Sequence, residues 1–155
     1  MKKFYIILII FLISGFSFGQ KAIPWKYEIS LLSESNETNY LIKVWTYSKK
    51  PVLDIEKAKM NAIHGVIFKG VVGHPALVTD PNIEEQKSDF FKVFFKENGG
   101  YSKYVNVTGD GSISMGDRIK TEEGYKIAVI VQINHLQLRK DLEQQGIIKS
   151  LNHGF

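Results

Sequence analysis

Cysteine is absent from all 155 residues. That excludes a disulfide framework, a thiolate metal site, a cysteine nucleophile and a lipid-modified N-terminal cysteine. A pronounced excess of one charge is lacking as well: 20 basic residues face 16 acidic ones, and with Lys2 and Lys3 set aside the balance is 18 to 16, a net of +2. Such a surface carries no polyanion-binding signature, so nucleic acid is not an expected partner. No apolar run reaches the roughly 20 residues a membrane-spanning helix needs. Repeats, low-complexity segments and linkers are missing too, and 44% hydrophobic with 23% charged residues is the balance of one folded domain.

Motifs for catalysis and cofactors are equally scarce. His64, His74, His135 and His153 stand at unrelated spacings, outside any HxH or HExxH pattern, so neither a metal nor a cofactor is expected. No GxSxG elbow is present, and Gly70, Gly73 and Gly99-Gly100 belong to no phosphate loop. Asp110-Gly111-Ser112 lacks the alternating acids and terminal glutamate of a calcium loop and reads as a turn. Glu84, Glu85 and Asp89 fall early in an expected helix, where acids complement the dipole. Arg139, Lys140, Lys149 and Lys126 alternate with Asp141 and Glu143 as a solvated face would. No catalytic residue can be nominated.

What is present begins at the N-terminus. Met1-Lys2-Lys3 is a basic start, residues 4–13 are apolar, and small residues at Ser17 and Gly19 end the segment. This is the pattern of a secretory signal peptide, residues 1–19, cleaved before Gln20 to leave a single domain over 20–155. The mature chain is then expected in the periplasm or at the outer-membrane periphery, and not as an integral membrane protein.

The rest is organised around 125–146. Ile127, Ala128, Val129, Ile130, Val131 and Ile133, broken only by Gln132, predict a strand over 125–133 buried on both faces. Asn134 caps a helix over 135–145 in which Leu138 and Leu142 recur four apart, and Gly146 stops it. Alternating residues predict strands over 25–32 and 40–48, joined by a loop of about seven residues. Asp54 caps a helix over 55–68 carrying Ile55, Ala58, Ala62, Ile63, Val66 and Ile67; Gly65 inside it implies a close approach or a bend. Asp80-Pro81 starts a helix over 81–97, whose Phe90, Phe91, Phe94 and Phe95 form an apolar stripe. Alternation at Tyr101, Lys103, Val105 and Val107 predicts a strand over 101–108, and 120–124 reads as a polar turn.

Three segments, KAKMNAIHGVIFKG (57–70), DFFKVFFKENGGYSKYV (89–105) and YKIAVIVQINHLQLRKDLEQQGIIKSLNHGF (125–155), resemble a family of small exported Bacteroidota proteins of unassigned function. The resemblance implies compartment and fold, and a role alongside outer-membrane assembly or secretion machinery. It carries over no functional residue. A looser likeness to the small α+β modules of envelope lipoproteins departs here, where the lipidated cysteine is missing.

These readings combine into an α+β domain: a mainly antiparallel sheet of four to five strands, two helices on one face and a C-terminal strand-helix unit. The leading functional expectation is a non-enzymatic envelope protein that binds other envelope proteins, with Trp25, Trp45, Tyr101 and Tyr104 as the candidate interaction surface. The first alternative is a small-molecule or glycan-binding periplasmic module enclosing a pocket between the Phe-rich helix and the sheet. The second is an envelope hydrolase, which requires titratable residues such as His74 or His135 to converge beside a carboxylate.

Overall fold

The computed structural model describes residues 25–35, 38–109 and 113–150. The proposed signal peptide, the Asp110-Gly111-Ser112 turn, Asn36 and His153 lie outside the described residues. Five strands form one antiparallel sheet: β1 (Tyr27–Ser35), β2 (Asn39–Ser48), β3 (Val105–Val107), β4 (Arg118–Thr121) and β5 (Gly124–Asn134). Their order is β1-β2-β5-β3, with β4 pairing the opposite half of the β5 edge that β3 uses. β5 is therefore the central strand: β2 runs along its whole length on one side, while β4 and β3 share the other.

Helix α1 (Ile55–Phe68) lies across one face of this sheet. The Asp54 carboxylate caps it by accepting the Lys57 N–H at 2.9 Å. Its Ala58, Ala62, Ile63, Val66 and Ile67 join Ile42 and Val44 of β2 and Val129, Val131 and Ile133 of β5 in one buried cluster. Ile63 and Ile67 are fully buried, which stabilises the fold by about 1.5–3 kcal/mol for each side chain. Gly65 marks the close approach anticipated above: a Cβ there would run into Ile29 Cδ1 and lie 3.2 Å from a Tyr27 ring carbon.

After α1 the chain departs from expectation twice, and each departure has a physical cause. The single helix over 81–97 is instead α2 (Ile83–Gln86) and α3 (Ser88–Phe94), broken at Lys87. Between Ile83 and Phe90 no apolar residue anchors the intervening turn, and Ser88 and Asp89 have side chains that compete for backbone hydrogen bonds. The strand expected over 101–108 is a 3₁₀ turn, Gly100–Tyr104, followed by the three residues of β3. Tyr101 and Tyr104 are both buried, and a three-residue spacing places both on one face in a helical turn; a strand would send them to opposite faces.

Smaller corrections follow the same logic. β1 and β2 continue pairing to Ser35 opposite Asn39, so most of the expected loop is strand. β4, with Ile119 as its one apolar residue, falls partly in the stretch read as a polar turn and forms a hairpin with β5. The last helix, α4 (His135–Gln144), is capped by the Asn134 side chain accepting the Gln137 N–H at 3.0 Å; its Leu138 and Leu142 reach the core, and Gly146 follows at φ 64°. Among the described residues no helix is long and apolar enough to cross a membrane.

Candidate functional site

Among the described residues the α-helices contribute to the core on the α1 side, and the opposite face of the sheet carries no α-helix; the 3₁₀ turn Met115–Asp117 meets it through the pairing of Asp117 with Lys43. β5 is thus covered by α-helix on one face, not on both, among the described residues: Ile127, Val129, Val131 and Ile133 are buried, whereas on the other side Ala128 is buried beside Trp45, Ile130 is half-buried and Gln132 exposed. The register defines this open face row by row. Trp45 sits between Glu28 and Ala128, Lys43 between Ser30 and Ile130, Leu41 between Ser33 and Gln132, and Lys126 between Tyr47 and Ile119. Trp45 occupies the centre.

Its surroundings are cationic. The Lys43 ammonium stands 5.1 Å from the Trp45 ring centre and the Lys126 ammonium 5.0 Å, each such contact contributing on the order of 0.5–1 kcal/mol at an exposed site. Both lysines also have acid partners. Lys43 pairs with Asp117, and Lys126 donates to both Glu28 oxygens at 2.7 Å. Glu28 also accepts the Tyr47 hydroxyl at 2.8 Å. The Lys126 bonds, and then the Tyr47 bond, hold the Glu28 carboxyl below its usual range, and the same carboxylate raises Lys126. Lys26 lies over the Tyr47 ring at 4.8 Å and pairs with Glu123 at 2.5 Å. The result is an aromatic and aliphatic centre within a ring of mutually neutralised charges.

Of the four aromatics nominated from sequence, the structure leaves Trp45 alone on this face. Tyr101 is fully buried and Tyr104 nearly so; their hydroxyls donate to Glu56 at 3.0 Å and to Asp141 at 2.6 Å. Tyr104 and Lys103 together hold Asp141 down to about 2, the lysine being the larger influence. Trp25 packs on the helix side, stacked on His64 with ring centres 3.7 Å apart. The four do not form one patch, because two of them fill the core beneath α3 and a third closes over α1.

The histidines make two further clusters. His64, on α1, is buried against Trp25, Phe68 and Phe95, and its Nδ1 is hydrogen-bonded to the Tyr27 hydroxyl at 2.5 Å. Its Nε2 lies 3.5 Å from a Glu84 oxygen without a hydrogen bond. Burial, aided by the charge of Lys69, pushes the imidazole down to about 3, so it is neutral at ordinary pH. His74 and His135 meet at Tyr40: His135 stacks on its ring at 3.7 Å, His74 is 4.9 Å away, and Glu34 lies 3.3 Å from His74 Nε2. This is the convergence that the hydrolase reading required.

Among the described residues, grooves open to solvent include two of note. One, of about 380 Å³, lies at the end of the sheet near the start of α1, lined by Lys26, Tyr47, Lys49, Lys57, Glu123 and Tyr125 among others. The other, of about 220 Å³, runs between Phe90, Phe94, Tyr104, Asp141 and Leu142. Neither is the anticipated pocket between the Phe-rich helix and the sheet, where Phe91, Phe94 and Phe95 fill the core. His74, His135 and Glu34 line neither groove. Among the described residues no group of three or more histidine and acidic side chains is placed to hold a metal. No protein-family model, curated protein sequence or solved structure matches this chain.

Proposed function

We propose that this is an exported envelope protein that works by binding another protein through the face of its sheet opposite α1, as an accessory to outer-membrane assembly or secretion machinery. The observation that supports the reading is the placement of Trp45. A tryptophan half-buried at the centre of a face that no α-helix covers among the described residues, with aliphatic neighbours and a polar rim, has the composition of a binding hot spot. The rim also states what kind of partner fits. Lys26, Lys43 and Lys126 are each matched by an acid within the face, so the partner offers an apolar or aromatic centre of its own and not a strong opposite charge.

The absence of native cysteine makes the test direct. Single cysteines are introduced as Ser30→Cys and Gln132→Cys on the open face and as Lys92→Cys on α3. Each variant is treated with a thiol-reactive photocrosslinker in the intact envelope of the native host. The proposal expects a shared crosslinked partner from the first two positions and none from the third. Crosslinking from Lys92→Cys alone contradicts it, as does the absence of any adduct at Ser30→Cys and Gln132→Cys.

A further inference from the structure

The chain brings four elements together around the ring of Tyr40, and three of them carry a titratable group. Tyr40, on β2, is buried, and His135, the first residue of α4, lies flat against it with ring centres 3.7 Å apart and planes 6° from parallel. His74 comes within 4.9 Å of the same ring from a tight turn closed by its bridge to Val71. Glu34, near the end of β1, places an oxygen 3.3 Å from His74 Nε2. Among the described residues nothing hydrogen-bonds the buried Nδ1 of His135. The same corner ties α4 to the β1–β2 hairpin, because the Leu136 N–H donates to the Thr38 carbonyl at 3.4 Å.

Most of what faces His135 opposes a proton on it. A charged ring would bury an Nδ1–H without an acceptor and would stand at the positive end of the α4 dipole. It would also face Arg139 one turn along the helix and His74 across Tyr40. The charge of Glu34, a bond to the Thr38 backbone and the attraction of a cation for the Tyr40 face act the other way. Burial is the largest influence, and the imidazole is held below its ordinary 6.5. Glu34 is a single carboxylate serving two imidazoles, so a charged His74 pairing with it leaves less of that charge for His135.

We infer that this cluster is an acid-released latch: neutral His135, stacked on Tyr40, pins the first turn of α4 to the β1–β2 hairpin, and a proton on His135 opens it. The closed latch binds that proton more weakly than a solvated imidazole does, so it is fully held above about pH 6.5 and loosens as the pH falls. Leu138 and Leu142 remain in the core, which confines the opening to the first turn.

The test is amide hydrogen exchange on the isotope-labelled mature chain between about pH 7.5 and 5, corrected for the intrinsic pH dependence of exchange, with the His135 ring followed by its own carbon-bound proton signals. The reporters are Leu136 and Gln137, whose N–H groups bond to Thr38 and to the Asn134 side chain. Their protection should fall about tenfold per pH unit below about 6.5, until His135 is charged. His135→Phe keeps a ring on Tyr40 but takes no proton; it should abolish this dependence at Leu136 and Gln137 while leaving that of the Ile63 amide in α1 as in the parent. Glu34→Gln, at an exposed position, removes the charge that favours the proton and should move the His135 titration to lower pH. A His135 midpoint at or above 6.5 overturns the inference, as does a pH dependence at Leu136 and Gln137 that survives His135→Phe, or a midpoint that Glu34→Gln leaves in place.

Discussion

The buried imidazole of His64 makes folding stability depend on pH in a way that can be worked out in advance. In the unfolded chain a histidine titrates near 6.5; in the folded protein desolvation holds this one down to about 3. Between those values the unfolded state binds more protons, so stability is fully present above about pH 6.5 and is lost as the pH falls. At about pH 4.5 the difference spans roughly two units, a loss of about 2.7 kcal/mol at 1.36 kcal/mol per unit. His135, also lowered by burial, adds in the same direction. The carboxylates held below their usual range by lysine, Glu28 and Asp141 among them, contribute mainly further into acid.

His64→Asn isolates the effect. The asparagine can still hydrogen-bond the Tyr27 hydroxyl but gives up stacking on Trp25, so the variant is less stable at neutral pH. Its loss of stability between about pH 7.5 and 4.5 should nevertheless be smaller than that of the parent protein by about 2–3 kcal/mol. Urea unfolding followed by circular dichroism at both pH values gives the comparison. Identical losses in the two proteins would refute the claim that the buried neutral imidazole is the acid-sensitive element.

Further outcomes follow from the same packing. Tyr101→Ala should cost about 3–5 kcal/mol in urea unfolding, since it empties a fully buried site; Trp45→Ala, half-buried on the open face, should cost under about 2 kcal/mol and leave the circular dichroism spectrum unchanged. Gly124→Ala should destabilise by about 2 kcal/mol or more, because a Cβ would strike the Ser48 carbonyl and a φ of 140° strains any L side chain. Tyr27→Phe should cost about 1–3 kcal/mol by leaving His64 Nδ1 buried without its hydrogen-bond partner, visible as a lower urea midpoint at neutral pH.

Much of the architecture was legible because it rests on local periodicity. Apolar residues spaced three and four apart, with Asp54 in front, define α1 at its observed bounds, and Asn134 and Gly146 mark the ends of α4. The misread elements are those in which a short pattern fits two periods or carries too little apolar signal. Tyr101 and Tyr104 alternate with polar neighbours yet follow a three-residue turn, and Arg118-Ile119-Lys120-Thr121 is a strand through its pairing with β5 alone. The candidate surface was half visible. Trp45 could be nominated as an aromatic residue on an alternating strand, but its neighbours Lys126 and Ala128 come from β5, far along the chain, and only the register brings them together. The cluster of Glu34, Tyr40, His74 and His135 was hidden for the same reason, since its members come from four separate elements.

The central claim is that Trp45 and its face engage a protein partner, and one comparison tests it most directly. Tagged parent protein, Trp45→Ala and Val93→Ala, the last removing an exposed apolar side chain from α3, are expressed in the native host, crosslinked in the cell and purified from fractionated envelopes. Mass spectrometry then quantifies the co-purifying proteins. The account predicts a partner retained by the parent and by Val93→Ala and depleted at least about tenfold by Trp45→Ala. A partner unaffected by Trp45→Ala but lost with Val93→Ala would place the working surface on the helices and contradict the account.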